Sequence, residues 1–370
     1  MAVSSESDRF TITSSRGDYE VVIEAGSFDR HMADRGGAEG GAPLICDARF
    51  AERFAPLAGD RLLPVEATEH NKTIETCAGL IAELRRMGVS RKDVATAVGG
   101  GIVQDLTTFT TSVYMRGIDW VYFPTTLLGM VDSCIGGKSA INVAGYKNLA
   151  GNFHPPKRIH IDPTFVASLA PDQRAGGLLE AAKICFARGD EALDAFLDAA
   201  ARAGTDPAAL TAAIRTSLLS KKWFIEVDEF DRNERLLLNF GHTFGHALES
   251  AVDFRINHGV AVGVGMMAAF AFARSKGLIG PAGETRIARL RDYTTGLLLT
   301  VDGLEETLRD ASAERFLAAF ASDKKHLRDA YVMVLPDAEG RLSRPQFPRN
   351  AAIDAAIIAA NDSVIREIFR

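Results

Sequence analysis

What this chain lacks narrows its class before any motif is read. It has no run of eighteen or more uncharged apolar residues, so a membrane-spanning helix is excluded and a soluble protein without a membrane partner is expected. Its four cysteines, Cys46, Cys77, Cys134 and Cys185, lie far apart with no CxxC pair. That pattern argues against a disulfide framework and a thiolate zinc site, and for reduced, buried thiols. Positive charge is in deficit, with 42 Lys and Arg against 48 Asp and Glu, a net charge of -6 and a pI near 5.8. No basic stripe offers the footprint a phosphate backbone requires, which excludes a nucleic-acid partner. The polar start "MAVSSESDRF" has no basic segment leading into an apolar core, so a secretory signal is not expected and the cytoplasm is. There is no GxGxxG run, internal repeat or low-complexity tract.

What is present supports a large two-domain protein. A chain of 370 residues exceeds the size at which one core usually keeps growing. "FTITSSRGDYEVVIE" reads as two strands around a Ser-Arg-Gly turn, "APLICDA" as a short buried strand, and "RGGAEGGAP" (Arg35 to Pro43) as a flexible loop. "KTIETCAGLIAELRRMGV" carries apolar residues at helical spacing, "DVATAVGGGIVQD" is a strand running into three glycines, and "WVYFPTT" is another strand. Alternating strands and helices predict a parallel α/β domain over residues 1–165. Beyond a boundary near Pro163 to Pro171, Ala- and Leu-rich helical stretches fill 166–370.

Three groups of residues stand out chemically. Gly99 to Gly101 close a strand and open a helix, where backbone amides can approach a pyrophosphate, although a tight turn without a ligand would look the same. "LNFGHTFGHALES" puts His242 and His246 four residues apart, on one face of an amphipathic helix, and His258 begins the next apolar stretch. A single histidine is most often structural. Three within seventeen positions, with Glu180 in an apolar helical context, suit a zinc centre with an open position. By spacing alone, both His242 and His246 are ligand candidates. Lys138, Lys147, Lys183, Lys221 and Arg235 stand among small residues rather than on a solvated face, and suit a phosphorylated, polyhydroxylated anion beside a metal.

The segments "GGGIVQDLTTF", "YMRG", "FPTTLLGMVDSCIGGKSAIN", "GYKNLAGNFHPP", "GGLLEAAK", "RLLLNFGHTFGHALE", "NHGVAVGVGM" and "DKK", in this order over Asp47 to Pro336, resemble dehydroquinate synthase and its relatives, the sugar phosphate cyclases. The resemblance implies a Rossmann-like α/β NAD-binding domain, an all-α metal-binding domain, an active site between them and a homodimer. It implies Zn2+, with Co2+ as an alternative, on Glu180, His242 and His258, and turns His246 into a substrate or proton-transfer residue. NAD contacts carry over to Asp47, Glu69, Lys72, Gly100, Gly101, Asp105, Thr125, Thr126 and Lys147, with Phe165 and Ser168 near the cofactor. The substrate set carries over to Asp132, Lys138, Asn148, Lys183, Lys221, Arg235, Asn239, His246 and one of Lys324 and Lys325, Lys325 being chosen, with Arg116 reaching phosphate from the partner subunit.

The implied activity is closure of a carbocycle from a phosphorylated sugar or sugar acid, through transient oxidation by NAD, phosphate elimination and aldol closure, with a heptulosonate 7-phosphate first among substrates. Sedoheptulose 7-phosphate, an aminated heptulosonate and glucose 6-phosphate are rivals, and a metal-dependent polyol dehydrogenase is the reading from another class. "DLTTFTTSVY", "INVAGYKN" and "GNFHPP" depart from the pattern expected of housekeeping synthases. The last resembles valiolone-forming cyclases, but His246 and Arg235, usually disrupted there, are intact.

Overall fold

The alternating stretch after the polar start forms a hairpin, β1 (Asp8–Ile12) and β2 (Tyr19–Ile23), paired antiparallel from Asp8 opposite Ile23 to Ile12 opposite Tyr19. Its turn is closed by the Gly17 N–H donating to the Ser14 carbonyl at 3.0 Å. The computed structural model describes residues 8–35 and 41–369. Residues 1–7 of the polar start and most of the loop expected over Arg35 to Pro43 lie outside the described residues. The chain divides into two compact units, Met1–Leu169 and Ala170–Arg370. No helix among the described residues is long and apolar enough to cross a membrane.

The first unit is built on a seven-stranded sheet. To the hairpin it adds β3 (Leu44–Asp47), β4 (Leu62–Val65), β5 (Val94–Gly99), β6 (Asp119–Pro124) and, after the small hairpin of β7 (Ile141–Val143) and β8 (Tyr146–Ala150), β9 (Arg158–Ile161). The order is β1-β2-β9-β6-β5-β3-β4, parallel from β2 onward. Leu44, Ile45, Ala95, Ala97, Val98, Tyr122, Phe123, Ile159 and Ile161 are buried, as strands covered on both faces require. Helices α1 (Ser27–Arg35) and α2 (Ala51–Ala58) pack together, as do α3 (Ile74–Arg86) and α4 (Gly101–Val113). Phe28 of α1 meets Phe54, Phe123 and Phe165 at ring separations of 5.0, 5.4 and 5.5 Å. The helix expected from Lys72 starts at Ile74 because the Thr73 hydroxyl caps it, accepting from the Thr76 N–H.

The second unit is helical: α5 (Pro171–Arg188), α6 (Asp190–Ala200), α7 (Pro207–Val227), α8 (His242–Ala251), α9 (His258–Ser275), α10 (Pro281–Leu298), α11 (Leu304–Arg309), α12 (Ala313–Ala321) and α13 (Ala351–Ile368). Between α12 and α13 the chain makes two short antiparallel pairings, β10 (Ala330–Val332) with β13 (Gln346–Pro348) and β11 (Leu335–Pro336) with β12 (Leu342–Ser343). Strands of two or three residues are too short to show a period of two, so the sequence pattern did not announce them. Helix α9 is buried almost all round and packs on α5, α8 and α13. It meets α5 backbone to backbone: a Cβ on Gly259 would stand 2.2 Å from the Gly176 carbonyl oxygen.

Candidate active site

In the first unit β4 continues the sheet on one side of β3 and β5 on the other, so the strand order reverses between β3 and β5. Open α/β sheets bind ligands outside the carboxyl ends of the strands at such a reversal. Asp47 ends β3, and Gly99 ends β5 just before α4 begins at Gly101 with Gly100 as its N-cap. A Cβ on Gly101 would meet nothing within 4 Å, whereas one on Gly100 would stand 2.9 Å from Thr126. The helix start is thus open in front and closed behind, which fits the pyrophosphate of a dinucleotide. Asp47 is buried, and its carboxylate accepts from Arg49 Nε at 2.7 Å.

Around this point the structure gathers residues that are distant in sequence. Lys72 Nζ lies 3.2 Å from Asp105, 3.6 Å from Glu69 and 2.9 Å from Asn148 Oδ1. Asp105 also accepts from the Ala140 N–H. Burial, only partly countered by Lys72, pushes the Asp105 carboxyl up to about 6. Asn148, named with the substrate set, is therefore tied into the same group as Lys72 and Asp105. The Gly129 N–H donates to Thr126 Oγ1, and the Thr125 N–H to the Gly99 carbonyl. Asp132 sits in the π-helical turn Gly129–Ser133, and Lys138 pairs in an isolated bridge with Phe153. Phe165 is buried, and the Ser168 hydroxyl donates to its carbonyl. Lys147 and Arg116 stand exposed, Arg116 with a left-handed backbone at φ +67°.

In the second unit four groups converge from three helices. Glu180, fully buried on α5, presents Oε1 at 3.6 Å to His242 Nε2 of α8 and at 3.4 Å to His258 Nε2 of α9. Metal–ligand bonds of roughly 2.0–2.2 Å at a tetrahedral angle put ligand atoms roughly 3.3–3.6 Å apart, so these distances fit a zinc-sized ion. The nitrogens of His242, His246 and His258 also lie within 4.8 Å of one another. What separates the three rings is the other nitrogen. His242 Nδ1 contacts the Phe240 carbonyl at 3.2 Å and His258 Nδ1 contacts Glu249 at 3.4 Å. Each leaves Nε2 for the centre. No hydrogen bond of this kind holds His246, the most exposed of the three, among the described residues.

The local backbone explains the aim of these rings. The helix expected over the whole of Leu238 to Ser250 begins only at His242, because Gly241 takes a left-handed conformation at φ +74°. A 3-10 turn, Glu234–Asn239, precedes it. The Asn257 side chain caps α9 by accepting from the Val260 N–H and donates to Asp172 of α5 at 2.9 and 3.0 Å, stitching the start of α9 to α5.

Charge at the centre is tightly coupled. Lys183 Nζ stands 2.5 Å from Glu180 Oε2, both buried. Burial and then the Lys183 charge hold His242 well below the usual histidine range. Desolvation among the other rings, with the charges of His258 and Lys325, brings His246 down to about 3. For His258 burial works the same way, but the hydrogen bonds to Glu180 and Glu249 outweigh it and raise its pKa to about 10 in the absence of a metal. Of the two adjacent lysines, Lys324 is exposed, while Lys325 acts on His242 and His246 and pairs with Asp323 at 3.1 Å. His326 anchors that loop, accepting from the Val332 N–H at Nδ1 and contacting the Phe320 carbonyl through Nε2.

Lys221 and Arg235 are buried on α7 and the following turn, which pack on α5, and Asn239 ends that turn. Asp228 holds the turn together by accepting from the backbone N–H groups of Arg232, Asn233 and Arg235. The sequence reading passed over Asp228, Glu249, Asp323 and His326. Only Glu249 carried a signal, lying three and seven positions after His246 and His242 on the same helix.

Two family models match the chain, 3-dehydroquinate synthase N-terminal over residues 62–175 and 3-dehydroquinate synthase C-terminal over 177–326. The 3-dehydroquinate synthase of Rhodopseudomonas palustris (strain BisA53) is 34% identical over 358 residues, covering 90% of this chain and 91% of that one. Among solved structures, the 2-epi-5-epi-valiolone synthase ValA of Streptomyces hygroscopicus subsp. jinggangensis 5008, with NAD+ and Zn2+ bound, is 25% identical with a TM-score of 0.77, over 96% of this chain and 99% of that one. A 2-deoxy-scyllo-inosose synthase complexed with carbaglucose-6-phosphate, NAD+ and Co2+ is 22% identical with a TM-score of 0.78, over 97% and 99%.

Proposed function

The chain belongs to the 3-dehydroquinate synthase family, and from that premise we propose that it converts 3-deoxy-arabino-heptulosonate 7-phosphate into 3-dehydroquinate, eliminating phosphate. The observation that carries this reading is the convergence of His242 Nε2 and His258 Nε2 on Glu180 Oε1, at 3.6 and 3.4 Å, beside the buried Lys183. The first unit, Met1–Leu169, binds NAD, and the second, Ala170–Arg370, binds the metal and most of the substrate. The protein is a cytoplasmic homodimer, in which Arg116 reaches from one protomer to the substrate phosphate of its partner.

Bound at these two places, NAD and a divalent zinc or cobalt ion supply transient hydride removal and polarisation of the alcohol oxygen. Every other part falls to side chains of this chain. Glu180, His242 and His258 hold the metal. Asp47, Glu69, Lys72, Gly100, Gly101, Asp105, Thr125, Thr126, Lys147, Phe165 and Ser168 bind and orient the dinucleotide. Lys183, Lys221 and Lys325 hold the sugar phosphate by charge, while Asp132, Lys138, Asn148 and Asn239 orient its hydroxyls. Arg235, with its rigid fork of donors, suits the carboxylate. His246, held neutral, exchanges a proton with the substrate.

The experiment that tests this gives the purified protein NAD, zinc and either the heptulosonate phosphate or sedoheptulose 7-phosphate, and follows phosphate and NADH. Phosphate from the first alone, without accumulating NADH, is the expected result. Release from sedoheptulose 7-phosphate alone would make it a cyclitol-forming enzyme, and NADH without phosphate a polyol dehydrogenase. Membership of the 3-dehydroquinate synthase family counts against the last.

A further inference from the structure

The two imidazoles that face Glu180 are held from behind by different acceptors. His242 has a backbone carbonyl, that of Phe240; His258 has a carboxylate, that of Glu249, at 3.4 Å from Nδ1. Glu249 lies on the same helix as His242 and His246, and its side chain is 13% exposed. Among the described residues no lysine or arginine pairs with it; its ion-pair partner is His258. A sequestered carboxylate without a cation needs a donor, and the imidazole N–H is the donor within reach.

Charge around Glu180 makes the difference matter. Lys183, 2.5 Å away, offsets the only carboxylate among the three metal ligands, which leaves two neutral imidazoles and a compensated anion to face a dication. We propose that Glu249 is a positioning residue for the metal: it accepts from His258 Nδ1–H, fixes the tautomer that leaves the Nε2 lone pair for the ion, and supplies the negative charge that Lys183 offsets. This rests on the metal assignment proposed above. A carboxylate behind a ligand histidine raises its basicity and orients its ring, and its loss typically costs 10- to 100-fold in metal affinity.

The test uses the full chain stripped of metal with a chelator and titrated with Zn2+ against a chromophoric competitor, in wild type, Glu249→Ala and Glu249→Gln. Zinc affinity falls about 10- to 100-fold in the alanine variant. The glutamine variant, which keeps an acceptor but not the charge, recovers part of the loss and unfolds in its metal-free form at the wild-type temperature. The Co2+-loaded variants show altered visible bands. Affinities within twofold of wild type in both variants overturn the proposal. Equal losses in both, with a lowered metal-free unfolding temperature, also overturn it, since they mark a structural role. A wild type that takes up less than one zinc per chain overturns the metal assignment itself, and normal uptake with unaffected variants overturns this inference alone.

Discussion

At the scale of single residues, the three histidines should separate by metal content. His258→Ala and His242→Ala are expected to lose zinc and activity while NAD binding persists. His246→Ala should keep its zinc and lose roughly 10²- to 10⁴-fold in kcat, the usual worth of a proton-transfer group. Elemental analysis beside steady-state rates decides it, and retained zinc in His258→Ala would remove that residue from the ligand set. Arg235→Ala should raise the KM for a carboxylated substrate by roughly 10- to 100-fold, the value of a charged hydrogen bond. An equal rise for an uncarboxylated analogue would count against a carboxylate role. Spacing put His242, His246 and His258 on one centre but could not rank them, because the partners of the second ring nitrogens, Phe240 O and Glu249, depend on helix packing. Glu180 was legible for a physical reason: a carboxylate in an apolar helix must have a buried partner.

Elements position these side chains, and the turn between α7 and α8 shows how. Asp228 is 7% exposed and caps three backbone N–H groups of the turn that carries Arg235. Its burial raises the carboxyl pKa, but these bonds win and hold it below its ordinary 3.8. A depressed acid stabilises the fold above its unfolded pKa, and the effect is lost as pH falls through the folded value. Asp228→Asn should therefore cost about 1–3 kcal/mol at neutral pH, with a gap to wild type that closes below about pH 4. Urea denaturation across that range measures it, and a gap independent of pH would refute the charge-based account. The strand and helix periods made most elements of the sheet legible. The late start of α8 at His242 was not, because it depends on the left-handed backbone at Gly241, which apolar periodicity does not register.

For the whole molecule, metal and fold are linked. The proposed ligands Glu180, His242 and His258 come from α5, α8 and α9, so the ion is expected to bind the folded second unit and not its unfolded chain. At a thousandfold excess over Kd, zinc should add about 4 kcal/mol, raising the unfolding temperature of that unit by roughly 8–16 °C. Calorimetry with and without chelator checks this, and coincident transitions would show that the three helices do not share a metal. The close contact of Gly259 with Gly176 adds a vulnerability that no inspection of motifs detects. One methyl group there, in Gly259→Ala, would collide with α5 and spread the helices carrying Glu180 and His258. Such a chain would retain every ligand and every cation, satisfy any inventory of functional residues, and still be inert: its defect would be one of spacing, invisible as chemistry.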